Sequence, residues 1–243
     1  MNQVNLCEIF TSIQGEGIFA GRAQLFIRFF GCNIKCYYCD TREAFEEQEF
    51  ALFEKTPFSC KFKKIKNPIT DNDLISYIKN ILKGNFVHSI SLTGGEPLLH
   101  VDFLESFIPK INKIKPIHLE TNGTLPDNLR KIIKDIDFVS MDMKTDYFGK
   151  KGFLDAQKSF LEISSKKNCQ VKVVVTKKLD EKSFIQAIEI IKEVDEKIPL
   201  ILQPNTKELK QLKVKLLKFY KIASQTLDNV LILPQMHLLM DLK

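Results

Sequence analysis

Cys32, Cys36 and Cys39 fall within the ten residues Gly31–Asp40, spaced C-x3-C-x2-C. Three thiolates this close can hold three irons of a cubane iron–sulfur cluster. Clusters that only pass electrons normally carry four protein thiolates. With three, the fourth iron is open to an outside ligand, the distinction that separates a catalytic zinc site from a closed structural one. The spacing therefore points to a 4Fe-4S centre that does chemistry. Structural zinc is the competing reading, and it asks for four ligands, usually as two pairs. Cys7, Cys60 and Cys169 supply no second C-x2-C pair, and His88, His100, His118 and His237 show no H-x3-H spacing.

Four other segments carry chemistry-bearing residues. In Thr93-Gly94-Gly95-Glu96-Pro97 two glycines permit close backbone approach, and the carboxylate beside them can accept from an ammonium group. Gln14 and Glu16, flanking Gly15, can present a donor–acceptor edge to a flat heterocycle, and Arg28 can grip a carboxylate through two N–H groups. Glu120-Thr121-Asn122-Gly123 and Asp142-Met143-Lys144 are weaker signals, since Asn-Gly is a common turn.

The elements that must position these residues alternate along the chain. Strands are expected at Leu25–Phe30, Val87–Leu92, Ile117–Leu119, Phe138–Met141, Val171–Thr176, Pro199–Leu202 and Val230–Leu233. Helices are expected from Thr70 and near 99–114, 127–135, 153–167, 181–195 and 206–226. Such alternation predicts a parallel sheet with helical crossovers. The cysteine loop, Thr93–Pro97, Glu120–Gly123, Asp142–Lys144, Gln203-Pro204 and Pro234–His237 then each follow a strand, and parallel strands put all their C-terminal ends on one rim, where barrels and open α/β sheets hold ligands. Residues 42–70 break the pattern: phenylalanines and prolines among Glu and Lys predict an irregular insertion in place of the first crossover helix, covering the site or forming a dimer contact. Lys172 alternates with Val174 and Thr176, so inward and exposed placements are both open.

At 243 residues the chain suits one domain, 1–243, of the α/β-barrel size class, with an ordinary 44% hydrophobic and 27% charged content. There is no Arg-flanked apolar leader and no apolar run of membrane-spanning length, so a cytoplasmic protein without membrane contact is expected. In that setting, six cysteines read as metal ligands or free thiols rather than as a disulfide framework. The net charge of +6 invites a nucleic-acid reading, but only four of the 36 basic residues are arginine and the lysines are spread out, so no nucleic-acid partner is expected.

The cysteine loop, with Tyr38 just before its last cysteine, resembles the radical S-adenosylmethionine (SAM) superfamily. Gly94-Gly95-Glu96 looks like the superfamily motif that grips the methionine amine. The resemblance implies a partial, incomplete TIM-like β/α barrel. It also implies a 4Fe-4S cluster on Cys32, Cys36 and Cys39, and SAM bound to the open iron and cleaved to a 5′-deoxyadenosyl radical. SAM contacts would come from Tyr38, Gly94, Gly95, Glu96, Asn122, Ser140, Asp142, Lys144 and Gln203. Many members have Ser-Pro-Lys where this chain has Ser140-Met-Asp-Met-Lys144, so the choice between Ser140 and Asp142 stays open.

Gln14-Gly-Glu-Gly17, Arg28, the loop ending Cys39-Asp-Thr41, Glu120-Thr-Asn-Gly123 and Leu233-Pro-Gln-Met-His237 narrow the likeness to the 7-carboxy-7-deazaguanine synthase family. Membership would imply a lyase acting on 6-carboxy-5,6,7,8-tetrahydropterin, with loss of ammonia, on the route to queuosine and other 7-deazapurines. Gln14, Glu16, Arg28, Thr93 and His237 would contact the substrate. Thr41 would hold Mg2+, an electron donor such as flavodoxin or ferredoxin would reduce the cluster, and the enzyme would be a homodimer. Two alternatives share parts of the pattern: a glycyl-radical-enzyme activase of the same superfamily, and a non-catalytic iron–sulfur or zinc module.

Overall fold

The computed structural model describes residues 2–84 and 86–243. Strands β1 (Gln3–Val4), β2 (Leu6–Ile13), β3 (Ala23–Phe29), β4 (Phe50–Glu54), β5 (Phe62–Lys66) and β6 (Ile69–Thr70) precede helix α1 (Asp71–Ile81). Then β7 (Ser89–Gly94), α2 (Val101–Ile111), β8 (Ile117–Thr121), α3 (Pro126–Ile132), β9 (Phe138–Asp142) and α4 (Phe153–Ser164) alternate. The chain continues with β10 (Asn168–Val175), α5 (Glu181–Asp195), β11 (Leu200–Pro204), α6 (Lys213–Ala223), β12 (Val230–Ile232) and a last short helix, α7 (Met236–Leu239).

One ten-stranded sheet runs in the order β12-β11-β10-β9-β8-β7-β3-β2-β4-β5. From β12 across to β3 every neighbouring pair is parallel. β2 runs antiparallel to β3, and β12 and β5 are left as free edges, so the barrel is partial and open. The fold class expected from the sequence is the one observed.

Period-two alternation explains why the sheet has two different faces. On β3, Leu25 and Ile27 point to the helices; on β8, Ile117 and Leu119 do so; on β10, Val171, Val173 and Val175 do so, all fully buried. Each such side chain contributes about 1.5–3 kcal/mol by leaving water. The residues between them, among them Gln24, Arg28, Ser91, His118, Glu120, Ser140, Gln170 and Lys172, line the concave side with polar groups. Helices close the outer layer by their own stripes. In α1, Leu74, Ile78 and Ile81 are buried, and the Thr70 hydroxyl accepts from Asp73 N at 3.2 Å, an N-cap contributing about 1 kcal/mol. Asp180 caps α5 through Ser183 N at 2.8 Å.

Residues 42–70 depart from the expectation of irregular chain. They form a hairpin in which β4 pairs in parallel with β2 and antiparallel with β5, and a short ladder ties β6 to β1. The crossover also keeps its helix, since α1 fills that place before β7. Phe53 is core, whereas Phe50 and Phe58 are exposed. The outer strand Phe62–Lys66 carries Lys63, Lys64 and Lys66 on a free edge, where lysine discourages further strand pairing.

Candidate active site

The C-terminal ends of the parallel strands surround a cavity of about 380 Å3. Cys32, Cys36 and Cys39 form one side of it, in the loop that leaves β3. The loop is pinned to the turn after β7: Gly95 N donates to Phe29 O at 3.2 Å and Glu96 N to Gly31 O at 2.7 Å. The contact is so close that a Cβ on Gly95 would lie 1.9 Å from Gly31 O, which is why glycine stands there.

Glu96 does not line this cavity. It is fully buried beneath the strand ends, where it accepts from Leu98 N, Thr121 Oγ1 and Asn122 N at 3.1, 2.8 and 2.7 Å. Burial pushes its carboxyl up to about 7, against the pull of those hydrogen bonds. The expected ammonium acceptor thus organises Asn122 instead, whose Nδ2 donates to Asn33 Oδ1 at 2.9 Å and lies 3.8 Å from the Cys32 sulfur.

The floor is a hydrogen-bonded polar layer. Glu120 accepts from Gln14 Nε2, Ser91 Oγ and Thr93 Oγ1 at 2.7, 2.8 and 2.9 Å. Gln14 Nε2 also meets Gln24 Oε1, and Gln14 Oε1 accepts from Glu16 N, so this amide is occupied by the protein at both ends. Burial raises the Glu120 carboxyl, but His118, Ser91, Lys172 and Gln14 outweigh it and hold the group below its ordinary value. Ser140, deeper on β9 than Asp142, accepts from Gln170 Nε2 at 2.8 Å.

A web of charge adjoins the cysteine loop. Asp142 Oδ2 meets Lys144 Nζ at 2.8 Å and Lys172 Nζ at 3.2 Å, and Lys172 also pairs with Glu16 Oε2. Lys172 therefore points inward. Burial pulls its ammonium down, yet Asp142 and Glu16 hold it above its ordinary range. Glu16 Oε1 accepts from Gln203 Nε2 at 3.1 Å and Gln235 Nε2 at 2.8 Å, and Gln235 reaches Asp40 Oδ2 at 2.6 Å. Thr41 Oγ1 donates to Asp40 Oδ1 at 3.0 Å. Arg28 pairs through Nε with Glu8 Oε1 at 2.9 Å, and Lys243 reaches Glu8 Oε2 at 2.5 Å. His237 packs on Gly15, where a Cβ would lie 2.0 Å from its Nδ1.

Tyr38, Thr41, Thr93, Gly94, Gly95, Asn122, Ser140, Asp142, Lys144, Gln203, Gln14, Glu16, Arg28 and His237 thus line one cavity with the three cysteines, as the strand-end argument requires. Glu8, Asp40, Lys172, Gln235 and Lys243 line it as well and were not among the expected site residues.

The residues fit a resident cluster and an amino-acid-bearing cofactor. Three thiols share one wall, and burial holds Cys32 and Cys36 above the ordinary thiol value, so a metal would have to displace their protons on binding. Asp142 Oδ1 and Gln203 Oε1 are buried acceptors without a hydrogen-bond partner among the described residues, and both residues line the cavity. Buried acceptors of this kind call for an external donor.

Comparison with known proteins agrees. The family model of the radical SAM superfamily matches residues 26–195. The chain is 38% identical to the 7-carboxy-7-deazaguanine synthase of Geobacter sulfurreducens, over 95% of this chain and 94% of that protein. The chain belongs to the 7-carboxy-7-deazaguanine synthase family of the radical SAM superfamily. The synthase of Methanothermobacter thermautotrophicus is 32% identical over 96% of this chain and 95% of its own length. In fold, the chain resembles the crystal structure of QueE from Escherichia coli, with a TM-score of 0.64 at 21% identity, covering 97% of this chain and 95% of the other. Membership makes the chain a radical SAM lyase of 7-deazapurine biosynthesis, dependent on a 4Fe-4S cluster and SAM, and sets aside the activase and zinc-module alternatives.

Proposed function

We propose that the protein converts 6-carboxy-5,6,7,8-tetrahydropterin to 7-carboxy-7-deazaguanine with loss of ammonia. The observation that carries this reading is the meeting, in one cavity, of a three-cysteine wall with Arg28 and the Glu16–Lys172–Asp142 web. Cys32, Cys36 and Cys39 would hold the cluster; Gly94, Gly95, Asn122, Asp142, Lys144 and Gln203 would hold SAM beside it. The cluster and SAM, so held, would supply the radical chemistry that removes a hydrogen atom from the substrate. Asp142 suits the SAM role better than Ser140, because Asp142 Oδ1 is the free acceptor and Ser140 Oγ is already bonded to Gln170.

The chain's own part is binding and charge. Arg28 presents a guanidinium to the substrate carboxylate, held in place by Glu8. Lys172, kept cationic by Asp142 and Glu16, offers fixed positive charge rather than a proton. Glu16, with Gln203 and Gln235 donating to one of its oxygens, is fixed in orientation at the cavity wall. Mg2+ is part of the proposal: Thr41 lines the cavity, and Glu16, Asp40 and His237 offer ligand atoms all within 4.8 Å of one another, an oxygen-rich set suited to a hard ion. A flavodoxin- or ferredoxin-type donor, a homodimer and a cytoplasmic location complete the reading. No helix among the described residues is long and apolar enough to cross a membrane.

The test is an anaerobic assay of the reconstituted protein with SAM, Mg2+ and the carboxytetrahydropterin. The deazapurine acid should form with SAM not consumed in proportion. Absence of that product from a protein that still cleaves SAM would reject the substrate assignment. Cys36→Ala should lose both cluster iron and SAM cleavage, whereas Cys60→Ala, at an exposed thiol outside the cavity, should lose neither.

A further inference from the structure

The outer side of the cysteine loop is a basic and aromatic surface that the reaction inside the cavity does not use. Tyr37, 38% exposed, is flanked on one side by Arg42, whose Nη2 donates to Tyr37 O at 2.8 Å, and on the other by Lys178, whose Nζ lies 4.3 Å from the ring centroid. Tyr147 continues the surface: its hydroxyl accepts from Lys35 N at 3.1 Å, and Lys150 Nζ lies 4.3 Å from its ring centroid. Lys35, Arg42, Lys150 and Lys178 are all exposed. Acidic residues interrupt the surface: Asp146 and Glu208 lie near Tyr37, Asp180 lies near Asp146, and Glu43 follows Arg42, after which the chain turns more acidic at Glu46, Glu47 and Glu49 and bounds the patch on that side.

The position of this surface matters more than its charge. Tyr147 Oη accepts from the backbone N of Lys35, the neighbour of Cys36; Tyr37 and Tyr38 lie between Cys36 and Cys39 with their rings 5.2 Å apart, and Cys36 is itself only half-buried. A single layer of side chains therefore separates a cluster-ligating position from the protein's exterior. Electron tunnelling falls steeply with distance, so a carrier seated here would be far better placed than one anywhere on the helical layer. Cations ordered over tyrosine rings form a preorganised positive face, and complementary charge raises encounter rates by 10–10³-fold in a salt-dependent way.

We propose that the surface built from Lys35, Tyr37, Arg42, Tyr147, Lys150 and Lys178 is the docking face for an acidic one-electron carrier protein that reduces the cluster. This rests on the functional reading above. In the step, a carrier such as a flavodoxin hydroquinone gives up one electron and becomes the semiquinone, while the oxidised cluster gains that electron; no covalent bond forms or breaks at this stage.

The test compares two reductants on the reconstituted enzyme. Cluster reduction and SAM cleavage are followed anaerobically with dithionite, a small reductant, and with reduced flavodoxin across an ionic-strength series. The double variant Lys150→Glu/Lys178→Glu should slow flavodoxin-driven reduction about tenfold or more and flatten its salt dependence, while dithionite-driven reduction and cluster content stay at wild-type levels. The milder Lys150→Gln/Lys178→Gln should fall between. Lys61→Glu/Lys64→Glu, on and beside the distant edge strand β5, should behave as wild type. Unchanged flavodoxin kinetics in the charge-reversed variant, or an equal loss in the β5 variant, would overturn the docking face. A wild-type protein that fails with dithionite as well would overturn the functional reading, and this one with it.

Discussion

Lys172 and Glu16, 156 residues apart in sequence, form an ion pair inside the cavity, and Lys172 also reaches Asp142 at 3.2 Å. The pair joins the turn after β2 to the middle of β10. Two carboxylates thus depend on one ammonium, with Lys144 sharing only Asp142.

Lys172→Met should therefore leave the half-buried Glu16 without its cation. Losing one partner of a hydrogen-bonded charge pair that is only partly buried costs about 1–3 kcal/mol. Urea unfolding of the apo protein should show a loss of that order, together with a large fall in turnover. A change within about 0.5 kcal/mol, the range of ordinary surface substitutions, would show that the pair contributes nothing to the fold.

Arg28→Ala should spare the cluster and remove the substrate's carboxylate partner. A charge-assisted hydrogen bond of about 1.5–3 kcal/mol corresponds to a loss of about 10–150-fold in kcat/KM. Iron and sulfide content should match wild type, and SAM cleavage without substrate should persist. Unimpaired kinetics would refute the carboxylate role.

Glu96 gives the protein a pH dependence of defined sign. Its folded carboxyl titrates near 7 against an ordinary 4.5. Between those values the unfolded chain has released the proton while the folded protein still holds it, so stability falls as pH rises through that window. A displacement of this size corresponds to about 3 kcal/mol. Glu96→Gln should flatten the apo protein's unfolding free energy between pH 5 and 7. It should also cost about 1–3 kcal/mol at every pH, because the amide must turn N–H groups toward a donor such as Asn122 N. Equal slopes for both proteins would exclude Glu96 as the source.

Gly95→Ala should force the turn after β7 away from Gly31 O. Overpacking costs about 1–3 kcal/mol, and here the displaced backbone belongs to the cysteine loop. Iron retained per chain after reconstitution should drop well before the secondary structure does, as judged by circular dichroism. Full loading in this variant would mean that the loop moves freely of the turn.

Much of this was legible in the residues. The cysteine spacing and the strand ends after β3, β7, β8 and β9 located the cavity, and α5 occupies the expected 181–195 span. β7 runs Ser89–Gly94, two residues past the expected strand, so Thr93 and Gly94 end the strand instead of following it. The hairpin β4–β5 was hidden because Phe62-Lys-Lys-Ile-Lys66 is an edge strand whose exposed lysines dilute the apolar alternation. β2 escaped notice because its eight residues are nearly all buried, which blurs a period of two. Its inward Glu8 is recognisable only through its partners Arg28 and Lys243, which sequence cannot place. Lys172 was open for the same reason: whether a strand lysine turns inward is decided by anions contributed from elsewhere.

The free margins of the sheet give the tail after β12 an unusual task. Met236 N bonds to Gly15 O at 2.8 Å, Lys243 O accepts from Ser12 Oγ at 2.7 Å, and Lys243 Nζ sits 4.1 Å from the Phe62 ring centroid on β5. These final residues lace one margin to the other like a drawstring across a bag. A sealed cylinder would join those margins by a strand ladder, whereas here a few hydrogen bonds and a ring contact from the tail do so.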